Sequence, residues 1–434
     1  MSVKLFEVID REEKANKGTM DLGIESIVDM DDALHDVNIA AESVRTNIIA
    51  MDSAVEMTGI MAETIAMEER VLAAGEITPG IAALANQSMI ATAQLLGMDA
   101  ASVAVSNESI DASPETALRV SVESMKEKFD DVIKKIKAFF SRVASQIKKM
   151  AAKAVLAVVN YEKKFEKLAE KHAELSKELK DSSKSEYSDK EAGKIVKKFF
   201  GEFASNSGKL VISKYSKGTV VKAYDALSGN VKSIAKREPL ALNTSNLSNE
   251  LIGLSTMYDG LPSGIINEKY TQVVSRNDGT TIKAIILGDE EVELKSGDKI
   301  YKVTCTYATG TAKKDLLTKY AKKLKLLSYS DVSVVIDNGV AIAKESKDVV
   351  KKIDEIVSDT EKVIKDAKHD AKPGDDKEAD QKKIDSVQAS TISSLSTNVL
   401  KFSSDAILGY LAILMNTTYL ANVSMSKYKA GDAE

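Results

Sequence analysis

The stretch from Ala112 to Lys180 constrains the fold more than any other part of the sequence. It is preceded by Asp111, and its opening Ala-Ser-Pro-Glu-Thr places Ser113 and Pro114 as the cap and first-turn signature of a helix; no further proline follows before Lys180. Phe129, Ile133, Ile136, Phe140, Val143, Ile147 and Met150 recur at three- and four-residue spacing, so one side of this helix needs partners. From Tyr161 onward Glu162, Glu166, Glu170, Glu174 and Glu178 stand four residues apart with lysines between them, the pattern of a solvated helix laced by i,i+4 pairs.

The same helix marks a change of sign. Residues 1–123 carry 7 Lys and Arg against 22 Asp and Glu, a net of −15; the remainder carries 53 against 43, a net of +10. The formal charge of −5 therefore hides two segments of opposite sign. At 434 residues the chain is long enough for two or three domains. Aromatics make up only 5% and Trp is absent, which favours extended helices packed through small side chains over a dense enzyme core. The N-terminus MSVKLFEVIDREEK has no apolar h-region with a cleavage site, so a secretory signal is not expected.

These patterns predict a mainly α protein of long helices and helical hairpins with a small antiparallel β-meander inserted, an α+β arrangement. Residues 1–123 form an acidic, helical, propeptide-like region. Within it, residues 21–73 read as one long helix or two in line, and Thr78-Pro79 starts a further helix from Gly80 to Leu96. Residues 97–112 have no period and read as an accessible linker. Residues 124–263 hold the basic long helix and further helices, one of them opened by a Ser188/Glu191 capping box. Residues 264–310 form a meander of four short strands, two of them joined at Asn277-Asp-Gly279, which needs a helix over one face to be stable. Helices return over 311–368, split near residue 345. Residues 369–383 form a mobile charged loop, and 384–434 a C-terminal helical segment.

Catalytic signatures are missing: the sequence contains no GxGxxG, GxxxxGK[ST], HExxH, GxSxG or CxxC. His35, His172 and His369 lie far apart and read as surface residues, so no metal site or nucleophile–base pair follows from them. Asp29, Asp31 and Asp32 lack the glycine and spaced oxygens of a calcium loop. The lone Cys305 excludes an intramolecular disulfide and reads as a small apolar strand residue. Neither enzymatic activity nor a cofactor or metal is expected.

One constellation points to a partner. Lys126, Lys128, Lys134, Lys135, Lys137, Arg142, Lys148, Lys149 and Lys153 lie along one amphipathic stretch. Such a row suits phosphate contacts, which set affinity without reading sequence. An amphipathic membrane-surface helix has the same composition, and a plain solvated face is the third reading. The apolar run Ala406 to Met425 would serve a membrane-active protein. It is broken by Asn416, Thr417, Thr418 and Asn422, which suits a buried helix better than a span.

An acidic helical start, the stretch GEITPGIAALANQSM, a short linker and then TALRVSVESMKEKFDDVIKKIKAFFSRV together resemble the internal head (inner body or prohead core) proteins of giant tailed bacteriophages. The likeness covers about residues 1–160. It implies a structural protein of the capsid interior, made in the host cytoplasm. The implied partners are capsid or other internal head proteins, packaged DNA and a prohead protease that cuts after Glu in Ser-x-Glu or Ala-x-Glu. Ten Glu of this chain fit that motif: Glu42, Glu56, Glu68, Glu76, Glu108, Glu115, Glu123, Glu178, Glu250 and Glu345. Ser121-Val122-Glu123 falls at the charge switch and is the first choice. Glu108 and Glu115, in the linker, come next.

Overall fold

The computed structural model describes residues 30–179, 186–200, 219–236, 238–240, 256–261, 271–322, 324–366 and 375–431. These form nine α-helices and two small antiparallel sheets, so the protein is mainly α with a minor β part. The helices are α1 (Met30–Ala74), α2 (Pro79–Leu95), α3 (Asn107–Ala112), α4 (Pro114–Ala173), α5 (Asp189–Phe199), α6 (Thr219–Ala235), α7 (Lys314–Ala321), α8 (Tyr329–Asp366) and α9 (Asp375–Met425). The strands are β1 (Leu175–Leu179), β2 (Tyr258–Asp259), β3 (Thr271–Asp278), β4 (Thr281–Glu293), β5 (Lys299–Ala312) and β6 (Tyr428–Ala430). Two compact units emerge, one within Thr46–Arg142 and the other within Val28–Arg45 and Val143–Glu434.

In the first unit, Met61 and Ile65 of α1, Ala82, Ala85, Met89 and Ala93 of α2, and Leu118, Val122, Met125, Val132 and Ile136 of α4 share one core. The α4 residues follow a near-heptad spacing, which keeps a single seam buried along the helix. Helix α2 begins as its sequence predicts: Thr78 accepts a hydrogen bond from the Ile81 amide at 3.3 Å, and Pro79 occupies the first turn. Between α1 and α2, Gly75 adopts φ 82°, the left-handed region that glycine tolerates.

The expected linker at 97–112 is a packed part of this core. Val103 and Ile110 are buried. The Asn86 amide clamps the Val105 backbone, donating to its carbonyl at 3.1 Å and accepting from its N–H at 3.0 Å. The Ser121 hydroxyl donates to the Val103 carbonyl at 2.8 Å. Apolar periodicity misses such a segment because side chains, not a repeat, satisfy its backbone.

The second unit is built on α9. Leu395, Val399, Leu400, Phe402, Ala406, Ile407, Leu411, Leu414, Leu420 and Met425 are all buried. One face of α9 covers the four-stranded sheet, whose order is β2-β5-β4-β3. Ser394 Oγ accepts from the Cys305 amide at 2.5 Å, Asn398 Nδ2 donates to the Cys305 carbonyl at 2.6 Å, and Tyr307 donates to Asp405. These contacts supply the helix that the meander requires.

Several elements differ from expectation. The two middle strands of the meander are one: β4 pairs with β5 without interruption from Thr281↔Thr311 to Glu293↔Lys299. Gly288, Asp289 and Glu290 stay in the ladder, and the Asp289 carboxylate accepts from the Leu240 amide at 2.8 Å. The 331–344 and 347–368 helices are also one, α8, since the buried Ser346 hydroxyl donates back to the Ile342 carbonyl at 2.7 Å and leaves the backbone ladder intact. Helix α9 starts at Asp375, inside the segment expected to be a mobile loop; residues 369–374 lie outside those described. The long central helix ends at Ala173, and Leu175–Leu179 pairs with β6 as a strand instead of continuing it. The Asp278–Thr281 hairpin and the Ser188/Glu191 capping box form as predicted.

Candidate nucleic-acid interface and processing site

Most of the basic residues on α4 are occupied within the protein. Lys126 Nζ lies 2.5 Å from Glu69, Lys134 3.4 Å from Asp131, Lys148 3.3 Å from Glu361 and Lys153 2.8 Å from Asp36. The Arg142 guanidinium sits 5.6 Å from the Phe139 ring centre, and Lys135 and Lys137 also interact with neighbouring groups. Of the nine, Lys128 and Lys149 have no such partner among the described residues. A phosphate approaching this row would therefore meet a carboxylate beside many of the ammonium groups, which weakens the field that a bare charge count suggests. Phe139 and Phe140 are buried and cannot stack on bases.

The motif at the charge switch lies inside helix α4. Ser121 is fully buried and Val122 nearly so, whereas Glu123 is exposed. A protease takes its substrate as an extended strand, so a cut after Glu123 requires at least the local turns of α4 and the contact with Val103 to open. Glu108 is exposed in the first turn of α3, and Glu115 is exposed in the first turn of α4, where it pairs with Arg119 at 2.9 Å. Ala74-Gly75-Glu76 differs from all three: Gly75 and Glu76 stand outside any helix, in the exposed connection between α1 and α2.

The other candidates of the sequence fall into structural roles. Cys305 is buried in β5, and burial pushes its thiol far above the usual range. His172 is not a surface residue: it is buried, stacked on Tyr329 at 4.0 Å between ring centres, with Nε2 3.1 Å from the Tyr329 carbonyl. The side chains of His35, Asp29, Asp31 and Asp32 and the whole of His369 lie outside the described residues. Among those described, no group of three or more His, Cys, Asp or Glu could hold a metal ion. A partly buried ionic cluster that the sequence did not signal joins Asp405 to the Tyr307 hydroxyl, to Lys283 at 3.8 Å and to the half-exposed Arg45 at 3.6 Å. Burial and the Asp405 charge both push the Tyr307 hydroxyl well above the ordinary tyrosine range, so it stays protonated and donates.

Ser394–Met425 is long and apolar enough to cross a membrane, but 61% of its most apolar window is buried inside the protein. Asn416, Thr417, Thr418 and Ser424 are among the buried residues.

The profile of the phiKZ-like phage internal head proteins matches residues 24–418. The chain belongs to this family. Neither a curated protein nor a solved structure matches it. As an internal head protein it is a structural component of the phage head, and the match extends through the second unit, well beyond the 1–160 region that carried the resemblance. Such a role agrees with a chain in which long helices bind each other through ion pairs, including Lys347 on α8 to Glu162 on α4 and Lys352 on α8 to Asp225 on α6.

Proposed function

We propose that this internal head protein is made as a precursor, cut in its acidic N-terminal region by the head-maturation protease, and retained beside packaged DNA, which it contacts without reading sequence. The observation that carries the reading is the family match over residues 24–418, joined to the opposite charges of the two segments. Removal of residues 1–123 takes away a net of −15 and leaves a net of +10, so the cut would strengthen an attraction to DNA that the basic part already has in the full chain. The burial of Ser121 and Val122 means that a cut after Glu123 would act on a chain whose first unit is still open.

The exposed connection at Ala74-Gly75-Glu76 favours a second reading, a cut on the folded protein. Residues 1–76 carry 6 basic and 17 acidic groups, so this cut also reverses the sign, leaving 54 against 48. The N-terminus of the protein recovered from purified particles, read by mass spectrometry, decides between them. A start at Ser124 supports cutting before the first unit closes, and a start at Ile77 supports cutting on the folded chain. A start at Met1 refutes processing altogether.

A further inference from the structure

Away from the long basic helix, α5 and α7 carry exposed lysines without ion-pair partners among the described residues. Lys190, Lys194 and Lys197 recur at four- and three-residue spacing on the outer side of α5, while Ala192, Ile195 and Val196 fill its inner side. Lys314, Lys319 and Lys322 are exposed on and just after α7, and Lys325 follows, exposed, where its backbone bridges to Glu186 just before α5. None of these seven lysines has an ion-pair partner among the described residues. Among the described residues of these two segments the acidic groups are Glu186, Asp189, Asp315 and Glu191, the last of which is held by Lys427 at 2.9 Å and by the Ser188 cap. Lys313, at the start of α7, is turned toward Asp259 at 3.8 Å and the Thr256 carbonyl.

The two segments are packed against each other, which places their lysines on adjoining elements. Phe200, fully buried directly after α5, lies 5.9 Å from the Tyr320 ring of α7 and edge-on to Tyr258 at 5.4 Å. Gly279 lets the β3–β4 turn approach the last turn of α5: a Cβ there would collide with the Lys197 carbonyl and the Phe200 amide. The Tyr258 hydroxyl donates to the Gly279 carbonyl at 2.9 Å and closes the joint. The cationic face is therefore presented by a rigid support, which limits the ordering cost on binding.

We propose that the α5–α7 face is the surface through which this protein holds the phosphate backbone of double-helical DNA. The inference rests on the DNA association proposed above and places it on particular residues. Charge complementarity selects the occupant. The lysines of α5 alone span about 10 Å, a length over which duplex DNA presents about six phosphate charges. A membrane surface is a poorer fit, since an interfacial helix sinks large apolar side chains into the lipid. The large exposed hydrophobics among the described residues, such as Ile49, Leu84, Leu95 and Leu156, include none from α5 or α7.

The test uses the full chain and a fluorescein-labelled duplex of arbitrary sequence, with anisotropy followed from 50 to 200 mM salt. Replacing all seven lysines by Gln is expected to remove about four phosphate contacts. That flattens the slope of log K against log salt by about 3.6 and removes about 150-fold of the affinity change over that range. The corresponding seven Lys→Arg substitutions keep the wild-type slope, which separates loss of charge from loss of fold. K128Q/K149Q on α4 changes the slope by less than about 1 under this assignment. If the wild-type chain binds but the seven-Gln variant keeps its slope, or the α4 variant takes the larger loss, the assignment to α5 and α7 is overturned and DNA association stands. If the wild-type chain does not bind the duplex, both fall.

Discussion

Gly339, inside α8, is a position where a single methyl group should destabilise the fold. Helix propensity alone says the opposite, since Gly to Ala inside a helix gains about 1 kcal/mol. The structure reverses the sign. A Cβ built on Gly339 falls inside the contact distance of three ring atoms of Phe165, Cδ1, Cε1 and Cζ. Phe165 is fully buried, so the ring has no open space into which to withdraw. Overpacking of this kind costs about 1–3 kcal/mol, and collision with three atoms of a rigid ring belongs at the upper end. The net expectation for Gly339→Ala is a loss of about 2 kcal/mol. Urea unfolding followed by far-UV circular dichroism should show the midpoint falling by about 0.7 M for a slope near 3 kcal/mol per M. The decisive control is the Phe165→Leu background, where the ring is gone and the same substitution should be neutral or gain up to about 1 kcal/mol. A higher midpoint for Gly339→Ala alone, or an equal loss in both backgrounds, would refute the reasoning.

Two further outcomes follow from the first unit. Glu68 is almost fully buried, with one carboxylate oxygen lacking a hydrogen-bond partner, and desolvation raises its pKa above the ordinary 4.5 despite a bond from Ser88. The fold thus favours the neutral form, and the cost of ionising it appears as pH rises through the folded pKa. Glu68→Gln should stabilise the protein at pH 7 and lose that advantage below the ordinary carboxyl range, as compared by urea midpoints at pH 7 and pH 4. Asn86→Ala removes both bonds to Val105 and should cost about 1–3 kcal/mol, while limited proteolysis between residues 97 and 113 accelerates. Unchanged cleavage there would mean that the clamp does not order this segment.

Long, periodic elements were legible in the sequence, and tertiary neutralisation was not. The α2 start, the capping box of α5 and the hairpin at Asp278 each rest on contacts within a few residues, so local spacing fixes them. Short polar interruptions misled in both directions. Gly288-Asp-Glu did not break β4, because β5 pairs through it, and Glu345-Ser346 did not break α8, because Ser346 bonds its own helix. The row of nine cations on α4 looked like a binding face because the carboxylates that meet it are distant in sequence: Glu69, Glu361 and Asp36. The α5–α7 lysines come from two segments more than a hundred residues apart, each too short to stand out. The run KKDLLTKYAKKLK is too short for a search for long amphipathic helices to single out.

The pairing of β1 with β6 has a consequence for biosynthesis. Leu175 pairs with Ala430 and Leu179 with Tyr428, the Gly431 amide donates to the Glu174 carbonyl at 2.9 Å, and the Tyr428 hydroxyl donates to the Leu327 carbonyl at 2.7 Å. Together with α9, these contacts link the last described residues of the chain to a strand laid down some 250 residues earlier. Loop closure on that scale is slow, and the growing chain exposes the apolar faces of α4 and α8 until residue 430 has left the ribosome. The second unit can thus complete its fold only once residue 430 has emerged, while the first, closed by residue 142, can do so much earlier.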